Sequence, residues 1–162
     1  MKKAMYLLLL CPMIVLLTGC PVGTKYPLEN PGTEKIDKKL IGTWENKEED
    51  PEARKVTIKQ ADDYSYDVEV FETGSMYMPT TKVYKAWITT LEGKNFFYLK
   101  PDNEENYYLY CYEVSKKSLT TWDVGLKVGG IDAVTSIQAF RDEVKASLAA
   151  ADCLSGAVIW SK

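Results

Sequence analysis

Histidine is absent from the 162-residue chain. This absence excludes Ser-His-Asp and Cys-His catalysis and every metal site that needs a histidine ligand. The adjacent carboxylates Asp62 and Asp63, and likewise Glu104 and Glu105, lie on predicted turns. Catalytic carboxylate pairs need convergent geometry and unequal surroundings, which solvated turn residues lack. We therefore expect a protein that is not an enzyme, with no catalytic residue, no metal and no cofactor.

Long hydrophobic runs are also scarce, because the chain has one near its start and none later. The run spans Leu7 to Leu17, is interrupted by Pro12 and follows Lys2 and Lys3. Such a run suits an export signal and is too short for a transmembrane helix, which needs about 20 apolar residues. It ends in Leu17-Thr18-Gly19-Cys20 rather than in an Ala-x-Ala cleavage site. The sequence therefore predicts a signal peptide over residues 1–19.

The Leu17-Thr18-Gly19-Cys20 sequence resembles the lipobox of bacterial lipoproteins, whose cysteine receives a thioether-linked diacylglycerol before cleavage. The resemblance implies that Cys20 is the lipidated first residue of the mature chain. Two or three acyl chains hold a protein stably on a membrane, since each buried CH₂ contributes about 0.8 kcal/mol. The next residue is Pro21, not the Asp that favours inner-membrane retention in some lipoproteins, which points to the outer membrane. The alternatives are a plain secretory signal that contains a cysteine and an uncleaved anchor.

Clusters of basic residues are missing from the mature chain. Once Lys2 and Lys3 are removed, 18 basic residues stand against 23 acidic ones, a net charge of −5. A mildly acidic domain without a basic patch is a poor candidate for binding nucleic acid. We therefore expect no nucleic-acid partner, and a membrane contact through the lipid anchor alone.

Cysteines are few, and only two remain once Cys11 leaves with the signal and Cys20 is lipidated. In an oxidising compartment Cys111 and Cys153 could form a disulfide, worth about 3–4 kcal/mol in the chain-entropy model. The alternative is two separate buried thiols, because free cysteine packs as a small hydrophobic residue. The sequence leaves both open.

Residues 20–38 contain several prolines and glycines and few apolar residues, which predicts an extended tether below a domain over 39–162. Period-two alternation and turn residues then predict about eight short strands. The predicted strands are 56–59, 64–70, 82–90, 95–100, 107–114, 119–126 and 157–160, with another starting near Gly42. Because closing such hairpins on themselves removes exposed sheet edges, we expect a closed antiparallel barrel rather than a two-sheet sandwich.

One amphipathic helix precedes the last strand. Ile137, Phe140, Val144 and Leu148 form a single apolar stripe, and Thr135 has capping-box spacing to Gln138. The opposite face is polar without being strongly basic, so this helix should pack against the outside of the sheet rather than lie on a membrane.

Gly42-Thr43-Trp44, at the first strand of the domain, resembles the Gly-x-Trp motif of lipocalins and related calycins. The resemblance implies a lipocalin-like barrel in which Trp44 packs across the closed end. Most of the mature chain is also loosely similar to small bacterial envelope lipoproteins of unassigned function. Lipocalins usually stack an arginine near the last strand on this tryptophan. Here the candidate cations are Arg141 and Lys162.

The chain is rich in aromatic residues, with 11 Tyr and 4 Trp. Tyr108, Tyr110 and Tyr112 share one strand face, and Tyr64 and Tyr66 share another. Tyrosine offers a flat apolar surface with one polar tip, so these five are candidate ligand-lining residues. The alternative is ordinary cross-strand packing, because tyrosine is favoured in strands.

These features predict a non-catalytic, lipid-anchored protein of the cell envelope that binds a small apolar ligand or a protein partner. The alternative is a structural, assembly or inhibitor lipoprotein that acts through its outer surface.

Overall fold

The computed structural model describes residues 22–46, 54–73 and 79–162. Over this part of the chain it has nine strands and one α-helix. These elements are β1 (Gly23–Thr24), β2 (Gly42–Asn46), β3 (Arg54–Gln60), β4 (Tyr66–Thr73), β5 (Pro79–Leu91), β6 (Lys94–Pro101), β7 (Tyr107–Val114), β8 (Ser118–Val124), α1 (Ile137–Ser147) and β9 (Leu154–Ser161). The predicted signal peptide and Cys20 lie outside the described residues.

Strands β2 to β9 form a closed, antiparallel, eight-stranded barrel. Each strand from β2 to β8 pairs with the next one in the chain, and β9 also pairs with β2, which closes the ring. Inward and outward residues alternate along every strand, as the period-two patterns require. The predicted lipocalin-like barrel with one helix near its C-terminal end is confirmed.

The strand boundaries depart from the prediction where local hydrogen bonds intervene. The Asp62 carboxylate accepts hydrogen bonds from the Tyr64 backbone N–H at 2.8 Å and from the Ser65 hydroxyl. This Asx-type turn keeps Tyr64 out of the strand, so β4 begins at Tyr66. The Glu92–Gly93 turn has positive φ at both residues, as a tight hairpin turn between β5 and β6 requires.

The apolar residues form two clusters on opposite sides of the sheet. One fills part of the barrel interior and includes Trp44, Tyr66 and Phe97. The other lies between the outer sheet face and α1, where Phe140 and Val144 are fully buried. The helix therefore packs on the outside of the barrel, as its apolar stripe predicts.

The helix begins one residue later than the predicted capping box. Ser136 is the N-cap, and its hydroxyl accepts a hydrogen bond from the Ala139 N–H at 3.1 Å. The Gln138 side chain bonds to Asp142 at 2.9 Å instead of reaching back to the cap, so the Thr135–Gln138 capping box is not formed. Within the described residues, no helix is both long and apolar enough to cross a bilayer.

Residues 22–38, here called the strap, are docked on the barrel, so over this range the predicted extended tether is wrong. Leu28 is 0% exposed in the cluster beneath α1. Glu29 forms a salt bridge of 2.8 Å with Arg141 on the helix. The Glu34 carboxylate accepts hydrogen bonds at 2.8 Å from the Thr89 hydroxyl and the Thr90 N–H. One buried leucine and a few polar contacts outweigh the extended character that the prolines suggest.

Candidate ligand-binding site in the barrel

The barrel has one end closed by large side chains, and Trp44 lies across it with 0% exposure. Its indole N–H donates to the Leu40 carbonyl at 2.8 Å. The Lys162 ammonium sits 4.3 Å from the centre of the Trp44 ring and donates to the Ile41 carbonyl at 2.7 Å. A cation on a desolvated indole face is stabilising, and here it holds the end of β9 over the barrel floor.

The glycine of the Gly-x-Trp motif makes this contact sterically possible. Gly42 has φ +142°, and a Cβ placed on it would lie 2.7 Å from Cε of Lys162. A larger residue would push the flexible end of the lysine aside and would strain the backbone at this positive φ. Of the two candidate cations, Lys162 therefore contacts Trp44 and Arg141 does not, because Arg141 lies on the outer helix and pairs with Glu29.

Two of the five tyrosines proposed as ligand-lining residues do not line the interior space. Tyr66 is fully buried at the closed end, where its hydroxyl accepts from the Asp37 N–H and donates to the Asp37 carbonyl at 3.3 Å. Burial raises the pKa of Tyr66 well above its usual range. Tyr64 is 39% exposed in the turn before β4. Tyr66 therefore joins the strap to the barrel floor, and Tyr64 faces solvent.

Beyond the closed end the barrel contains a cavity of about 860 Å³. This volume lies in the range of small-molecule pockets, and an eight-stranded barrel is wide enough to hold one small ligand. Seven strands contribute inward-facing residues to its wall. The apolar lining residues are Val56, Ile58, Val68, Val70, Phe97, Leu99, Leu119, Val158 and Trp160. Exposed lining residues such as Lys82 and Asn103 show that the cavity reaches the surface at the opposite end, here called the rim.

The other three proposed tyrosines, Tyr108, Tyr110 and Tyr112, all line this cavity. They form a row from the rim to the floor, because alternate residues of β7 face inward. Tyr108, at the rim, donates from its hydroxyl to Glu104 at 2.7 Å, and this bond raises its pKa. Tyr112, near the floor, is almost fully buried, and burial raises its pKa well above the usual range. Contact of these residues with a ligand stays a prediction.

The candidate site also contains charged residues near the rim, and the sequence patterns did not predict them. Arg54 lies with its guanidinium 5.4 Å from the centre of the Trp160 ring. Burial raises the pKa of the nearby Asp123 carboxyl, and the Arg54 charge opposes that shift only in part. A Cβ at Gly156 would lie 2.9 Å from an Asp123 oxygen. Extending the alternation of Val56 and Ile58 back by one step would have placed Arg54 on the same inward face.

Cys111 and Cys153 are both free, buried thiols in the cluster beneath α1, outside the cavity. The structure therefore has the arrangement of two separate thiols and not the disulfide. Burial raises the pKa of Cys111 to about 11 and also raises that of Cys153. Because the thiolate is the reactive form, both are poor nucleophiles at neutral pH.

Across residues 22–46, 54–73 and 79–162, no cluster of three or more Cys, Asp or Glu side chains is arranged to hold a metal ion.

No family model matches the chain, and no curated protein or solved structure matches it either.

Proposed function

We propose that this chain is a non-catalytic, lipid-anchored protein of the outer membrane whose barrel binds a small apolar ligand. The observation that carries the proposal is the 860 Å³ cavity with an apolar interior. An unfilled space of this size lined by aliphatic and aromatic groups gains free energy when an apolar molecule replaces water in it.

The arrangement of the lining favours a ligand with an apolar body and one polar group. The deep wall is built from valine, leucine and phenylalanine, while Arg54, Lys82 and Asp123 lie toward the rim. The apolar part of such a ligand would occupy the interior beside Tyr110 and Val158. Its polar part would stay near the charged residues, where water or an ionic partner compensates its desolvation.

The anchor rests on the lipobox-like sequence that ends at Cys20 and on Pro21 after it. Mass spectrometry of the protein extracted from membranes should find an N-terminal Cys20 that carries diacylglycerol. A Cys20→Ser chain exported behind an ordinary cleavable signal should be recovered in the soluble periplasmic fraction. An unmodified Cys20 in the membrane extract would exclude the anchor.

The cavity can be tested with two neighbouring substitutions on β9 in the unanchored Cys20→Ser chain. Val158 lines the cavity, whereas the adjacent Ile159 points outward and is exposed. We expect Val158→Trp to fill the space and weaken binding of palmitate and of the fluorescent probe 1-anilinonaphthalene-8-sulfonate at least tenfold. Ile159→Trp adds the same side chain outside the barrel and should leave both affinities unchanged.

The unfolding midpoints of both variants should stay close to that of the parent, since the larger side chain enters existing space. Equal binding by the two variants would place the probe outside the barrel. A parent chain that binds neither probe would leave the alternative, a structural or inhibitor lipoprotein that acts through its outer surface.

A further inference from the structure

The chain enters the domain at the cavity rim. In β1, Gly23 pairs with Tyr108 and Thr24 with Tyr107, the first two residues of β7. Tyr108 lines the cavity at that end. A Cβ on Gly23 would lie 3.2 Å from the Tyr108 ring, so the backbone of the strap passes directly against the rim.

The strap is held in this place by contacts along its length. Its first part pairs with β7, its middle buries Leu28 and joins Glu29 to Arg141, and its last part joins Asp37 to Tyr66 at the closed end. Gly23 is therefore fixed relative to the barrel rather than carried on a free tether.

The short distance along the chain from Gly23 to Cys20 then limits where the anchor can be. Three residues span at most about 11 Å, the length of a fully extended chain. The closed end lies further away, because the eight residues of β7 extend roughly 23 Å from the rim to the Ser115–Lys117 turn. A lipidated Cys20 must sit closer to the rim than to the closed end.

Exposed apolar side chains are concentrated at the same end. Among the described residues, six large apolar side chains are more than a third exposed: Tyr26, Tyr64, Val83, Val128, Ile131 and Ile159. Four of these lie toward the rim, because Tyr26 follows β1, Val83 is in the first half of β5, and Val128 and Ile131 follow the end of β8. Val128 and Ile131 are 69% and 51% exposed. The Val128 segment is rigidly presented, since Glu143 accepts hydrogen bonds from the N–H groups of Val128, Gly129 and Gly130 at 2.9–3.2 Å. Apolar side chains beside a lipid anchor fit the bilayer interface.

We infer that the cavity rim faces the bilayer that carries the anchor, and that the ligand is an acyl-chain amphiphile of that membrane which enters the barrel from the lipid surface. This inference rests on the proposed function, because it needs both lipidation of Cys20 and a ligand in the barrel. Entry from the membrane surface spares the acyl chain a passage through water, which costs about 0.8 kcal/mol for each CH₂ exposed.

The orientation is tested on the lipidated full-length chain in vesicles of phosphatidylethanolamine and phosphatidylglycerol. An environment-sensitive dye is attached at Val128→Cys on the rim side or, as the matched control, at Lys116→Cys in the turn after β7. The unsubstituted chain is the labelling blank, because Cys111 and Cys153 are buried. Headgroup-nitroxide lipids should quench the dye at position 128 several-fold more than at position 116. Equal quenching, or stronger quenching at 116, would overturn the inference.

A second variant tests the tether length without touching the barrel. Ten Gly/Ser residues inserted between Pro21 and Val22 keep the anchor and add a root-mean-square reach of roughly 18 Å. We expect quenching at position 128 to fall towards that at 116, and transfer of a fluorescent fatty acid from the vesicles to slow several-fold. Equilibrium binding of the same fatty acid added without vesicles should not change. An insertion that leaves both quenching and transfer unaltered would contradict the inference.

Failure of the proposed function is recognised separately. Mass spectrometry of the vesicle sample reports acylation of Cys20, and titration of the unanchored Cys20→Ser chain with fatty acid reports the cavity. If Cys20 is not acylated, or if the Cys20→Ser chain does not bind fatty acid, both the proposed function and this inference are wrong. If both results are positive while position 128 stays unquenched, only the membrane-facing orientation is overturned.

Discussion

The two ends of the barrel are made from the same eight strands, but their interiors are filled differently. At the closed end Trp44, Tyr66 and Phe97 occupy the space between the strands and are almost completely buried. Toward the rim the inward positions hold smaller or charged residues such as Val70, Val158 and Arg54, and a cavity remains.

Because strand number and stagger set the width of a barrel, side-chain size decides whether its interior is solid or hollow. Three large aromatic residues complete the core at one end, and several valines with Gly156 leave room at the other. Under the proposed function, this difference separates the residues that stabilise the barrel from those that bind the ligand. Changes at the closed end should cost stability, whereas changes near the rim should alter binding at little cost in stability.

The largest expected effect comes from emptying the closed end. Trp44→Ala removes a fully buried ring, its hydrogen bond to the Leu40 carbonyl and its cation–π contact with Lys162. It should lower the free energy of unfolding by about 3–5 kcal/mol, measured by urea denaturation. The matched change near the rim, Val158→Ala, should cost about 1 kcal/mol or less, because that side chain already borders empty space. Similar losses of unfolding free energy for Trp44→Ala and Val158→Ala would contradict the difference between the two ends of the barrel.

A second prediction concerns a rigid part of the rim end. The backbone N–H groups of residues 128–130 bond to Glu143, so Glu143→Gln should cost about 1–3 kcal/mol at pH 7. Asp142→Asn, at the exposed neighbouring position, is the control and should cost little. An equal effect of the two substitutions would mean that the carboxylate does not hold this segment.

The same carboxylate should make stability depend on pH. Burial raises the pKa of Glu143, but the three backbone hydrogen bonds outweigh burial and hold the pKa below its ordinary value near 4.5. The stabilisation is therefore complete above that unfolded-state value and is lost as the pH falls through the lower folded-state pKa. Urea titrations from pH 7 to pH 3 should show the parent and Glu143→Gln converging in acid. A constant difference over this range would contradict the assignment.

A further effect on stability, smaller than that of Trp44→Ala, is expected from the glycine of the Gly-x-Trp motif. Gly42→Ala brings a Cβ against Lys162, whereas Gly93→Ala meets no atom within 4 Å and has only its positive φ to strain. The φ strain at Gly93 should cost about 1–2 kcal/mol. Gly42→Ala should cost more than that, and adding Lys162→Ala should recover part of the excess. Identical unfolding free energies for Gly42→Ala and Gly93→Ala would show that Lys162 does not restrict the size of residue 42.

The smallest effect concerns the strap. Arg141→Gln breaks the partly exposed salt bridge to Glu29 and should cost no more than about 1 kcal/mol. Hydrogen exchange should nevertheless rise in residues 22–29 and not at the closed end. Lys145→Gln, which removes the exposed pair with Glu92, is the control and should leave exchange in the strap unchanged.

Much of the barrel could be predicted from local sequence patterns. The strand over 107–114, the turn after it and the outer position of the helix follow from alternation, turn residues and one apolar stripe, all of which act between near neighbours. The row Tyr108, Tyr110 and Tyr112 belongs to the same category, because residues two apart in a strand face the same side. Tyr64 does not line the cavity, because the Asp62 carboxylate accepts a hydrogen bond from the Tyr64 N–H and holds Tyr64 in the turn before β4.

The candidate site was less accessible to prediction because its parts come from distant segments. Arg54 and Asp123 lie 69 positions apart in the sequence, and the Arg54 charge acts on the Asp123 carboxyl only because β3 and β8 belong to one ring. The emptiness of the interior is equally non-local. It depends on the sum of side-chain volumes over seven strands, which no single strand pattern reports.

The sequence by itself determined the strands, the turns and the outer helix, since each depends on residues a few positions apart. Only the tertiary structure decided that Lys162 covers Trp44, that Leu28 docks the strap beneath α1, and that the cavity opens beside the start of the strap. These contacts join residues up to 123 positions apart, as between Lys162 and Lys39. Such pairs meet only when the closed barrel brings its first and last strands together, so their distances are properties of the whole fold.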